Sequence, residues 1–118
     1  MSRSLCPITC TLDIIGDRWT LVILRDALFR DFTTYGQFQS SPEGISTNIL
    51  ASRLKNLVRN GIFSKHKDDH NKLKIHYKLT EKGRSLRSVI LVVGLWGNQH
   101  IDGTEDIVAK IEAAKKVG

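Results

Sequence analysis

The chain places a short basic amphipathic helix, residues 46–60, directly before a Lys- and His-rich strand pair, and that order of parts constrains the architecture more than any other feature. Over residues 46–60, Leu50, Leu54, Leu57 and Val58 recur at i, i+4, i+7 and i+8, the spacing of a helix that buries one stripe. Beyond the Asn60-Gly61 break, residues 62–66 and 73–79 read as two β-strands around the turn Asp68-Asp69-His70-Asn71. A helix of about four turns therefore runs directly into a β-hairpin.

The preceding chain supplies three more helices. Pro7 suits the first turn of a helix over 7–15, which Gly16 stops, and Asp17 caps the next. That second helix, 18–30, is apolar through Trp19, Leu21, Val22, Ile23, Leu24, Ala27 and Leu28 and is expected to be the central core helix. A third covers 34–40 with Tyr35 and Phe38 facing inward, and residues 41–44 form a turn. Thr80 is expected to cap a long fifth helix through His100, and Thr104 a sixth over 105–116. The resulting class is mostly α with a small β-hairpin wing: a winged helix-turn-helix with additional terminal helices, forming a single domain over 1–118.

The fifth helix has apolar residues on every side. Leu86, Val89, Ile90, Val93 and Trp96 make one stripe, and Leu91, Val92 and Leu95 occupy the other. Such a helix needs cover on all faces, and a chain of 118 residues has few elements left to supply it. The expectation is a homodimer joined through the helices of about 80–118, with Leu91, Val92, Leu95, Trp96, Ile107 and Ile111 at its interface. A central helix covered by its own domain is the plainer alternative.

Charge narrows the partner. Residues 45–88 hold eleven Lys and Arg against three Asp and Glu, a net +8 that exceeds the +6 of the whole chain, and each flank nets −1. The excess marks one surface. With 41% hydrophobic and 25% charged residues the composition is that of a globular protein, and the longest apolar run falls far short of the roughly 18 residues of a membrane span. Residues 1–4 lead into the fold without a secretory segment, so a cytoplasmic location is expected. Double-stranded DNA is the simplest polyanionic partner, with no membrane contact expected.

In a helix-turn-helix, the first part of the recognition helix meets base edges and flanking cations meet phosphates. Ser46, Thr47, Asn48 and Ser52 are the candidates for base contact. Asn can pair bidentately with adenine, whereas Ser and Thr are promiscuous. Lys55 and Arg59 lie farther along the same face and suit phosphates, while Arg53 points to the flank, as a DNA contact or as a solvated or salt-bridged side chain. On the wing, Lys67, His70, Lys72 and Lys74 would follow the backbone or enter the minor groove; their plainer role is to discourage edge-to-edge strand pairing. Asp68 and Asp69 are explained by the habit of Asp-rich turns of bonding their own backbone.

Cys6 and Cys10 lie one helical turn apart, too few for a disulfide framework. A thiol near a helix N-terminus gains thiolate character, so both are candidate sensor residues; the alternative is two small buried apolar side chains. Trp19, Tyr35, Phe38 and Trp96 are core aromatics or the lining of an effector pocket. No metal or cofactor is expected: the two cysteines lack a matching pair, and His66, His70, His76 and His100 have no zinc spacing. Nor does any carboxylate pair, phosphate-binding glycine loop or catalytic motif suggest an enzyme.

Five motifs in order carry a family resemblance: Cys6-Pro7; the run 12–19, Leu-Asp-Ile-Ile-Gly-Asp-Arg-Trp; the run 41–50, Ser-Pro-Glu-Gly-Ile-Ser-Thr-Asn-Ile-Leu; Arg53-Leu54; and the run 79–83, Leu-Thr-Glu-Lys-Gly. Together, over about residues 5–100, they resemble the HxlR family of winged helix-turn-helix regulators, related to the MarR type. The resemblance implies a homodimeric transcription factor acting on operators, with Cys6 at the position where many members carry a cysteine and some detect quinones, aldehydes or oxidants. Paired recognition helices would read an inverted-repeat operator. Many members have a Pro-rich wing ending in an Arg and an aromatic, whereas the wing here, 67–77, has no proline, so wing contacts are not carried over. The alternative function is a winged-helix protein-interaction module whose basic face docks an acidic partner without preference for any DNA sequence.

Overall fold

The computed structural model describes residues 5–106. Contacts divide the chain into two units at Arg84/Ser85. The first contains α1 (Pro7–Ile15), α2 (Arg18–Phe29), α3 (Tyr35–Gln39), α4 (Thr47–Arg59), β1 (Phe63–Lys67), β2 (Ile75–Leu79) and α5 (Glu81–Arg84); the second contains α6 (Arg87–His100).

The helix starts follow from their capping side chains. Asp17 accepts the backbone N–H groups of Trp19 and Thr20 and caps α2. Thr34 and Gln37 form a reciprocal capping box on α3. Ser46 accepts the Ile49 N–H at the head of α4. The end of α4 is equally specified. Gly61, at φ +72°, donates to Val58 O, and Ile62 donates to Leu57 O, so a left-handed residue ends the helix and turns the chain into β1.

The core of the first unit combines Ile23, Leu24, Ala27 and Leu28 of α2 with Phe38, Ile45, the Leu50, Leu54 and Leu57 stripe of α4, and Ile62 and Phe63. Phe32, Phe38, Phe63 and Tyr77 form a chain of ring contacts at 5.9–6.3 Å between neighbouring centroids. β1 and β2 pair antiparallel from Phe63↔Leu79 to Lys67↔Ile75. The connection before α3 adds a short edge: Thr34 bridges His76, and Tyr77 N–H donates to Thr33 O at 2.7 Å.

Three expectations are corrected. The second strand begins at Ile75, since residues 68–74 are occupied by a longer turn in which Asp68 N–H donates to Lys74 O and Lys74 N–H to Asn71 O. The long helix expected from Thr80 to His100 is broken after Arg84. Thr80 Oγ1 accepts the Gly83 N–H and donates to Gly61 O and Ile62 O, and a Cβ on Gly83 would stand 2.3 Å from Ile62 O. This first turn is thus pinned to the start of β1, and α6 begins anew after Leu86. Within the second unit Ile90 is buried, whereas Val92 and Trp96 are 63% and 59% exposed and Leu91 and Leu95 are half-buried. Glu105 and Asp106 are not helical, and the rest of the expected sixth helix, with Ile107 and Ile111, lies outside the described residues.

Candidate nucleic-acid interface

α3, the 40–46 turn and α4 make the helix-turn-helix. The Tyr35 hydroxyl donates to Thr47 O at 3.1 Å, which ties the first helix to the head of the second. Beneath the turn, Arg25 of α2 donates to both Glu43 carboxylate oxygens at 2.6 and 2.9 Å and to Asp26 at 2.9 and 3.0 Å. Asp26 is completely buried, and it also accepts the Ser41 hydroxyl and faces Arg30 at 3.4 Å. The Arg25 hydrogen bonds hold the Glu43 carboxyl at about 2, well below its usual 4.5. This network is absent from the sequence reading. Its signal was present: Asp26 falls among Ile23, Leu24, Ala27 and Leu28 on the buried stripe, where a carboxylate must be paired.

Asn48, Ser52, Lys55 and Arg59 are all exposed on α4, within an arc of roughly 60° and over about 16 Å of helix. Thr47 is exposed beside them. Ser46 is exposed but also caps α4, so its hydroxyl oxygen is engaged by Ile49 N–H and retains a proton to donate outward. Arg53 is salt-bridged: its Nε donates to Asp17 Oδ2 at 2.9 Å and its Nη1 to Ser52 Oγ at 3.2 Å. Asp17 therefore caps α2 and holds α4 at the same time. Its pKa is lowered by hydrogen bonds from Thr20 and Arg53, which outweigh the opposing effect of partial burial.

The hairpin extends the basic surface. Lys67 ends β1, and His70, Lys72 and Lys74 lie in the 68–74 turn, all four exposed. Asp68 Oδ2 accepts the N–H groups of His70 and Asn71, and Asn71 Oδ1 accepts that of Leu73, as expected of an Asp-rich turn.

Cys6 and Cys10 are both exposed, which overturns their reading as buried apolar side chains. Cys6 is the N-cap of α1, and the amides of Thr9 and then Ile8 lower its thiol pKa from the usual value. Leu5, Ile8 and Leu12 are exposed around it. The four aromatics considered for an effector pocket have separate roles: Phe38 is core, Tyr35 is tied to Thr47, Trp19 carries the Arg18 guanidinium 5.3 Å from its ring centre, and Trp96 stacks near His100. An open groove of about 270 Å³ is lined instead by Ala27, Asp31, Phe32, Thr33, Lys78, Leu79 and Arg84. Among the described residues, no helix is long and apolar enough to cross a membrane, and no cluster of three His, Cys, Asp or Glu could hold a metal.

A capped three-helix frame whose last helix opens into a basic hairpin defines the winged helix-turn-helix class. Within that class the chain belongs to the HxlR-like helix-turn-helix family, whose model matches residues 14–105. An uncharacterised helix-turn-helix transcriptional regulator of Mycobacterium tuberculosis is 37% identical over 94 residues, 80% of this chain and 58% of that protein. The chain thus spans little more than half the length of its mycobacterial relatives. The regulator YdeP of Bacillus subtilis is 34% identical over 94% of this chain and 83% of its own length. Among solved structures, the transcription factor PA1607 superposes with a TM-score of 0.79 at 36% identity, covering 89% of this chain and 73% of that one. The redox regulator HypR in its oxidised form gives 0.69 at 27% identity, over 86% of this chain and all of that one.

Proposed function

We propose that the chain is a homodimeric, sequence-specific DNA-binding transcriptional regulator, working in the cytoplasm and without catalytic activity. The observation that carries this is the exposed, acid-free face of Asn48, Ser52, Lys55 and Arg59 on α4, set beside a wing with three exposed lysines. Asn48, with Thr47, Ser52 and the outward proton of Ser46, reads base edges in the major groove. Lys55 and Arg59 hold phosphates, and Lys67, His70, Lys72 and Lys74 follow the adjoining backbone. The exposed apolar side chains Val92 and Trp96, with Leu91 and Leu95, join two copies, with Ile107 and Ile111 assigned to the same interface. Two recognition helices related by a twofold axis then require an inverted-repeat operator.

Regulation is assigned to Cys6, with Cys10 one turn away. The Cys6 thiol is exposed and its pKa is lowered by helix amides, which favours the nucleophilic thiolate. The redox regulator HypR and the transcriptional regulator YodB of Bacillus subtilis, the latter solved in its reduced form, are structural neighbours. An oxidant or small electrophile is the expected effector.

Recovery and sequencing of genomic fragments bound by the reduced protein at physiological salt tests this reading, with a repeat after mild oxidation. An enriched inverted repeat is expected, with occupancy changed by oxidation and restored by Cys6→Ser. Absence of any enriched sequence in both states would sink sequence-specific binding and leave the basic face as a protein-docking surface.

A further inference from the structure

One chain of hydrogen bonds in the hairpin is left unexplained by the DNA-facing side chains. Thr33 Oγ1 lies 2.8 Å from His76 Nδ1, and His76 Nε2 lies 2.7 Å from Asp68 Oδ1. The imidazole is only 22% exposed. The second Asp68 oxygen accepts the His70 and Asn71 amides at 3.0 and 3.1 Å. A single ring thus links three segments distant in sequence: the connection between α2 and α3, the second residue of β2, and the first residue of the 68–74 turn.

The proton assignment is consistent in a neutral ring. Hydrogen bonding from His76 is the foremost of the effects that lower the Asp68 pKa, so the carboxylate is ionised and Nε2 carries the hydrogen it accepts. The Nδ1 lone pair then accepts the Thr33 hydroxyl. A second proton on the ring would make Nδ1–H a donor to Thr33 Oγ1, with the hydroxyl rotating, and the link would survive. The charged and titratable groups beside His76 are Asp68, its cross-strand partner His66, the adjacent Tyr77, and Lys74 and Lys78 two residues to either side.

We propose that His76 is a positioning residue for the wing: the Thr33–His76–Asp68 link fixes the 68–74 turn on the helix-turn-helix frame and so aims Lys67, His70, Lys72 and Lys74. Backbone contacts already hold β2 to the Thr33–Thr34 connection, but past Lys67↔Ile75 the turn is otherwise closed by bonds among its own residues. Untethered, its lysines would sample many directions, and the cost of ordering them would fall on the binding step. The proposal rests on the DNA-binding reading of the wing, but the state of the turn can be measured without DNA.

The test uses the full chain with His76→Phe, which keeps a ring and removes both nitrogens, Thr33→Val, which removes only the hydroxyl, and Thr33→Ser, which restores it. Hydrogen exchange at the His70 and Asn71 amides is measured in the free protein, and affinity for a duplex is measured across salt concentrations. A Lys67→Ala, Lys72→Ala double variant serves as the reference for loss of wing contact. His76→Phe and Thr33→Val should each accelerate exchange at the two amides about tenfold and weaken duplex binding about three- to tenfold, with a shallower salt dependence. Thr33→Ser should restore both, and α4 amides should be unchanged. Unaltered exchange and affinity in Thr33→Val and His76→Phe, beside lost affinity in the lysine variant, overturns the positioning role alone. Full affinity in the lysine variant overturns wing contact itself, and the aiming role with it. The Thr33 pair keeps the test decisive if His76→Phe fails to fold.

Discussion

Asp26 sits at the centre of the polar network under the helix-turn-helix, and its complete burial makes it sensitive to substitution. Asp26→Ala would remove the buried acceptor of the Ser41 hydroxyl and of two Arg25 hydrogen bonds, leaving Arg25 to Glu43 alone, at a cost of about 3 kcal/mol. Glu43 is partly solvated, so Glu43→Gln should cost only about 1 kcal/mol at neutral pH. The sign of its pH dependence follows from the depressed folded value. A carboxyl near 2 in the fold and near 4.5 when free stabilises the protein fully above pH 4.5 and loses that contribution as pH falls toward 2. Urea unfolding at several pH values should show the wild-type advantage over Glu43→Gln closing across that window; an advantage unchanged down to pH 2 would refute the ion pair. Single residues were readable in the sequence where their role is local. Asp17 as a cap needs only its neighbours, whereas its bond to Arg53 spans 36 residues and has no local signal.

In the proposed reading recognition depends on α4, and its two halves should respond differently. Lys55→Ala and Arg59→Ala are expected to weaken binding to all duplexes alike and to reduce the salt slope by about one each. Asn48→Ala should change sequence preference by about 1–3 kcal/mol at one base position with little effect on the slope. Binding selections at two salt concentrations separate these outcomes, and uniform losses from all three would show that a different face reads the bases. The sequence specified α4 closely because its apolar stripe, its Ser46 cap and the Asn60-Gly61 stop agree with one another. It misled over residues 80–100 because the apolar stripe that begins at Leu86 carries no mark of where the helix before it stops, while the contacts of Thr80 and Gly83 with Ile62 O lie 18 or more residues away in sequence. The start of β2 was misplaced because Leu73 fits the alternation of a strand yet is almost fully exposed in a turn closed by Asp68, Asn71 and Lys74.

For the whole molecule, the exposed apolar side chains on α1 and α6 are the strongest reason to expect two copies. Sedimentation at micromolar concentration should give a dimer, and Val92→Glu combined with Trp96→Glu should give a folded monomer that binds a half-site weakly and loses inverted-repeat selection. A wild-type monomer would count heavily against the proposed operator symmetry. The charge distribution showed in sequence which surface is basic, but not which apolar faces lie open, since periodicity marks a stripe without naming what covers it. The double engagement of Asp17 has a consequence for how such a protein can change. The carboxylate that starts α2 also accepts from Arg53, so α4 is tied to the frame by a group outside the face of Asn48, Ser52, Lys55 and Arg59. If positions 48 and 52 read the operator as proposed, new preferences can be written there while the bearing of the helix stays constant, which separates what is read from how the reader is held.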